Sequence, residues 1–82
     1  MREKLQEQKE RTIAAMTEEI ERYYEELSQG SEDPACDING FEKMMVAHQK
    51  RTDEIFLKAV SEAVSSVEAE VIKKNVSTAA GK

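Results

Sequence analysis

NGFEKMMVAHQKRTDEIFLKAVSEAVSSVEAEVIKKN, residues 39–75, holds one glycine near its start and no proline. Phe41, Met45, His48, Thr52, Ile55/Phe56, Ala59/Val60, Ala63, Val67 and Val71 recur with a period close to 3.6. That period belongs to one face of an α-helix, so the stretch predicts a single long helix over residues 39–76. Asn39 is placed to cap it and Glu42, three residues on, to complete a capping box. Ile38 would pack on the first turn as a staple. Lys73 and Lys74 suit a helix C-terminus, where positive charge is favoured. Residues 77–82, small and polar, read as a flexible tail.

Working back toward the N-terminus, Ile13, Met16, Ile20, Tyr23 and Leu27 are spaced 3, 4, 3 and 4 apart. This is an a/d heptad stripe, the seam of a helix packed on another helix. It predicts a first amphipathic helix over 1–29, with Glu7–Arg11 and Glu18–Arg22 as i,i+4 ion pairs on its surface. Gly30 is expected to close that helix at positive φ. Pro34 cannot continue it, and Asp33-Pro34 suits the start of one short helical turn within a connection over 30–38. The fold class is therefore all-α: an antiparallel two-helix hairpin. Its expected seam is Ile13, Met16, Ile20, Tyr23 and Leu27 against Phe41, Met45 and His48. Counted outward from the turn, Leu27 faces Phe41, Tyr23 faces Met45 and Ile20 faces His48.

On this count the first helix runs out near Ala63. Phe56, Val60, Val64, Val67, Val71 and Ile72 widen the apolar face beyond one stripe, and the last of them, with Val76, lack an intrachain partner. Leaving such side chains in water forfeits ~1.5–3 kcal/mol apiece. A surplus of this kind marks an interface. Those six residues are the expected interface, and a homodimer closing an antiparallel four-helix bundle is the simplest cover. A competing expectation is a segment of a longer protein, with the patch covered by the remainder.

Composition bounds the function. Eighty-two residues make at most one small domain, which buries about 60–65% of its unfolded surface and is thinly stabilised on its own. Charged residues are 35% and the net charge is −5, which disfavours nucleic acid and anionic membranes as partners of this segment alone. No run reaches the ~20 apolar residues that span a bilayer. The first residues lack the apolar core of a secretory signal. Cys36 is the lone cysteine, so no intrachain disulfide forms, and a reducing, cytoplasmic setting is expected. From Thr17 to Asp33 seven acids stand against Arg22 alone. A solvated helix face accounts for that run; a docking face for a basic partner is the sharper reading.

Candidate chemistry does not assemble. Asp37-x-Asn39-Gly40 matches the middle of a calcium loop, but Ala35 and Val46 occupy the positions that need an acid and a bidentate glutamate. His48, the only histidine, has no Glu-x-x-His partner for a metal bundle site, because Glu42 and Glu54 lie six residues away. As a residue of the packed stripe it suits a local hydrogen bond or a pH-sensitive contact. Cys36 sits beside Asp37, whose charge disfavours the thiolate. Asn75-Val76-Ser77 fits a glycosylation acceptor only in a secreted chain, and Gly81-Lys82 lacks the upstream glycine of a phosphate loop. Catalytic, metal and cofactor residues are thus expected to be absent.

The charged first helix, the acidic Gly/Pro break, and Asp37-Ile38-Asn39-Gly40-Phe41-Glu42 opening a long Ala/Val/Glu helix together resemble the N-terminal region of some bacterial insertion-sequence transposases. The resemblance covers residues 1–75. It implies a helical leader to zinc-binding and catalytic domains; the paired cysteines and acidic triad of those domains have no counterpart here. The expected function is non-enzymatic: helical self-association or docking of a helical partner protein. A detached segment of a transposase-like DNA-processing protein is the alternative, and a small acidic regulator of a basic protein the remoter one.

Overall fold

A computed structural model describes residues 2–80, with side chains as far as Asn75. Two helices, α1 (Arg2–Glu32) and α2 (Ile38–Ala80), run antiparallel. No strand occurs among the described residues. The pair forms a slab one helix thick, with Cα extents of 73 × 20 × 7 Å. Helix α2 continues to Ala80, past the point at which a tail was expected; Gly81 and Lys82, and the side chain of Val76, lie outside the described residues.

The connection is only residues 33–37, because both helices extend into the expected turn. Gly30 does not close α1: no residue among those described has positive φ, and Gly30 stays helical. The stop comes from Pro34, which disfavours helical geometry at Asp33. Asp33 then organises the turn. Its backbone N–H donates to Gly30 O (3.2 Å), its carbonyl accepts from Cys36 N (3.1 Å), and its Oδ1 accepts from Ala35 N (2.9 Å). This is the short turn that Asp33-Pro34 announces.

The cap of α2 is Asp37 rather than Asn39. Asp37 Oδ1 accepts from Gly40 N at 3.0 Å and its carbonyl from Phe41 N at 3.2 Å, the N-cap arrangement. Starting two residues earlier turns Ile38 outward, 76% exposed, so it staples nothing. Asp37 to Glu42, the stretch that carries the transposase resemblance, is in this fold a capped helix start.

What Gly30 supplies is closeness. A Cβ there would stand 3.1 Å from Met44 Cε, 3.2 Å from Phe41 Cε1 and 3.4 Å from Cys36 Sγ. The missing methyl group lets the first turns of α2 seat directly on the end of α1.

The seam between the helices is rotated from the expected one. On α1 it follows Gln8, Thr12, Ala15, Glu19, Tyr23, Glu26 and Gly30; on α2 it follows Phe41, Met44, His48, Arg51, Ile55, Ala59, Glu62 and Ser66. Both runs keep the 3/4 spacing, so the sides of contact are regular, but they are largely polar. Met16, Tyr23, Leu27, Phe41 and His48 are half-buried. Ile13, Ile20 and Met45 are not seam residues: they stand beside it, 54%, 47% and 51% exposed. Gln8 with Ser66, and Glu19 with His48 and Arg51, hydrogen-bond across this seam, which offsets the cost of burying them there.

The register also moves by about one turn. Glu19 and Tyr23, not Ile20, meet His48, and Gln8 meets Ser66. Helix α1 therefore flanks α2 well beyond Ala63. Val64 and Val67 are exposed because they point sideways, not because α1 has ended.

Candidate functional site

The centre of the seam is a charge cluster. Glu19 is 5% exposed, and a single oxygen of it, Oε1, accepts from Arg51 Nε at 2.6 Å and from His48 Nδ1 at 3.1 Å. Arg22 Nη1 lies 4.0 Å from the other oxygen. Arg51 Nη2 reaches toward Glu26 at 3.7 Å, within ion-pair range but too long for a hydrogen bond, and is otherwise unpartnered. The Tyr23 ring stacks on His48, centroids 4.1 Å apart and planes within 5°. Helical geometry makes the cluster: Glu19 and Tyr23 are one turn apart on α1, and His48 and Arg51 one turn apart on α2.

Burial alone pushes the Glu19 carboxyl up; hydrogen bonds from Arg51 and His48, with the charges of Arg51 and Arg22, outweigh it and hold the carboxyl below its ordinary range. The bond to Glu19 pushes the Arg51 guanidinium up in turn. The carboxylate has no proton to give, so the Nδ1 contact places a proton on that His48 nitrogen. A histidine oriented by a carboxylate is half of a hydrolase triad, but no hydroxyl or thiol is bonded to His48 among the described residues. Cys36, the strongest nucleophile available, lies in the turn, against Gly30 and Gly40. The cluster ties α1 to α2 at the middle of the seam.

A second polar pin sits toward the open end of the hairpin. Gln8 Nε2 donates to Ser66 Oγ at 2.8 Å, leaving Gln8 Oε1 unpaired. Arg11 crosses to Glu62 at 3.9 Å rather than pairing with Glu7, while Arg22–Glu18 forms along α1 at 3.9 Å as its spacing predicts. Pairs of this sort set register and orientation and add little net stability, since desolvation offsets most of the attraction.

Among the described residues no apolar side chain is buried. Many of the large apolar groups instead collect on one face of the slab, while Val46 and Leu57 point to the outer side of α2. Leu5, Lys9 and Ile13 of α1 and Phe56, Val60 and Ala63 of α2 line one shallow, almost wholly apolar groove. Ile20 and Tyr24 continue the face along α1; Met45 and Val67 continue it along α2. The opposite face carries Lys4, Arg11, Lys58 and Glu62. Helical arithmetic explains the segregation. On each helix the apolar residues follow the seam residues by one position, a right-handed step of about 100°. In an antiparallel pair, equal steps on both helices lead to the same side.

Of the six expected interface residues, Phe56, Val60 and Val67 lie on this face, and Val64 and Val71 at its outer edge. Ile72 is exposed but stands about 160° around α2 from Phe56, toward the polar side. Ile13, Ile20 and Met45, assigned from spacing to the hairpin seam, join the apolar face instead. The signal was present: a 3/4 stripe does not say whether one partner helix or two share it.

No group of three side chains suited to holding a metal ion occurs among the described residues. No helix among them is long and apolar enough to cross a membrane. Comparison with known protein families, curated proteins and solved structures finds no match for this chain.

Proposed function

We propose that this chain is a non-enzymatic self-association module whose apolar face is completed by a second copy, giving a four-helix bundle. The observation that carries the reading is the inverted hairpin: its fully buried side chains, Gln8, Glu19 and Ser66, are polar, and most of its large apolar residues are exposed. The heptad stripe of α1 adds to it. The α1 stripe points about 80° away from the partner helix, toward the open face.

The area agrees. The chain exposes 6757 Å², where a compact monomer of 9.3 kDa exposes about 5,000 Å². The excess, about 1,800 Å², is more than twice the ~800 Å² that a stable interface buries per partner.

Sedimentation equilibrium of the isolated chain is the test, and a dimer mass is expected. Val67→Asp places two carboxylates in the interface, each desolvated at a cost of several kcal/mol, and should raise the dissociation constant by more than ~1,000-fold. A helical wild-type chain that sediments as a monomer at millimolar concentration would refute the proposal.

A further inference from the structure

We infer that the outer side of α2, turned away from α1, docks a single amphipathic helix of another protein whose flanks are basic. This edge lies outside the apolar face on which self-association rests.

Spacing points to a helix as the occupant. Leu57, Val64 and Val71 recur every seven residues, and all three are exposed. Leu57 follows the seam residue Ile55, and Val64 the seam residue Glu62, by two positions, a step of about 200° that aims both away from α1. A second copy stacked on the apolar face leaves this side open, because the edge looks out along the plane of the slab. Apolar residues repeated every seven are what one helix presents to another in a coiled coil. Val46, three turns before Leu57, continues the edge toward the turn, where Lys43 and Lys50 border it.

Charge gives the chemistry of the partner. Glu54, Ser61 and Glu68 also repeat every seven residues, beside the apolar three, and Asp53 precedes Leu57 by one turn. Asp53, Glu54 and Glu68 are exposed, and none of them is ion-paired among the described residues. The one lysine from Asp53 to Val71, Lys58, lies on the polar face of the slab. A second copy of this segment therefore brings no cation to the three acids. Lysines or arginines flanking the apolar stripe of a foreign helix supply it, and opposite charges of this kind select the partner.

The probe is a labelled synthetic peptide about three heptads long, with valine and leucine at the seam positions and lysine at the flanking ones. A second peptide carries glutamate in place of lysine. Fluorescence anisotropy with the full chain should show the lysine peptide binding at least about tenfold more tightly than the glutamate peptide. Leu57→Gln should weaken that binding about tenfold while leaving helix content and sedimentation mass unchanged. Glu54→Lys combined with Glu68→Lys should reverse the preference between the two peptides. Equal affinity for both peptides, no binding of the lysine peptide, or binding unchanged in Leu57→Gln overturns the inference. A lysine peptide that binds by splitting the dimer sits on the apolar face instead; that overturns the edge site and leaves self-association standing. A chain that is monomeric alone and still binds the peptide through Leu57 refutes self-association and leaves the edge site standing.

Discussion

Replacing Glu19 by glutamine keeps the shape of the seam and removes its central charge. In the native chain one carboxylate oxygen serves two donors, Arg51 Nε at 2.6 Å and His48 Nδ1 at 3.1 Å. A glutamine carbonyl still accepts both, but as neutral bonds. Hydrogen bonds to a charged group contribute about 1.5–3 kcal/mol and neutral ones about 0.5–1.5. The carboxylate also pays for its own desolvation, so Glu19→Gln should cost about 1–2 kcal/mol rather than the full difference over both bonds. Urea unfolding followed by circular dichroism, at one fixed chain concentration, measures this.

The pH dependence separates the charge from mere packing. The folded carboxyl titrates below its ordinary value of 4.5. Its contribution is therefore fully present above that value and is lost as pH falls through the lower folded value. The gap between native chain and Glu19→Gln should be constant near neutrality and close at strongly acid pH. Other carboxylates titrate in both chains and cancel in the difference. A gap that stays the same at pH 3, or no gap at pH 7, would refute the view that charge at Glu19 holds the seam.

Two further changes test the ends of the helices. Asp37→Ala removes the acceptor for Gly40 N, a loss of about 1 kcal/mol typical of a missing N-cap. Asn39→Ala, at the position favoured by spacing alone, should cost much less; equal losses in thermal unfolding would return the cap to Asn39. Gly30→Ala sets two effects against each other. Helix propensity favours alanine by about 0.5–1 kcal/mol, but the new methyl group meets Met44, Phe41 and Cys36 together, and overpacking costs about 1–3 kcal/mol. A net fall in stability is expected, turning to a gain when Met44→Ala opens the space; a gain in the native background would show that the helices have room to spare.

Helix number, helix type and antiparallel course were legible because they depend on local signals. The 3.6 period, Pro34, and a connection too short to span anything but neighbouring ends leave few alternatives. The turn was legible to within its chemistry: Asp33-Pro34 behaves as its residue types require. What spacing left undetermined was rotation. Ile13 and Ile20 have the same spacing as Thr12 and Glu19, one position earlier, and apolarity alone favoured the isoleucines. The structure turns Glu19 inward instead because His48 and Arg51, almost thirty residues later in the chain, present the donors it needs. A pairing of that kind is non-local, so no window of sequence displays it. The cap was misplaced for a smaller reason. Asp37 and Asn39 are both good caps, and the choice rests on where the Asp33 turn releases the backbone.

In the proposed assembly, polar pins in the seam and exposed apolar residues divide the work of specification. Glu19, His48 and Arg51 in the middle, and Gln8 with Ser66 farther along, bond only in one register, so they select how the two helices of a chain lie. A slip of one turn would strand Glu19 without donors, at a desolvation cost of several kcal/mol. Such pins contribute little net stability, because each bond replaces bonds to water. The driving force must then come from Ile13, Ile20, Met45, Phe56, Val60 and Val67, each roughly half exposed. Burying the exposed half of each yields about 1 kcal/mol per side chain, or on the order of 12 kcal/mol over two copies. Association itself costs about 4–15 kcal/mol. A sum of that size supports a dimer whose formation is coupled to folding, so the unfolding midpoint of this chain should rise with its concentration.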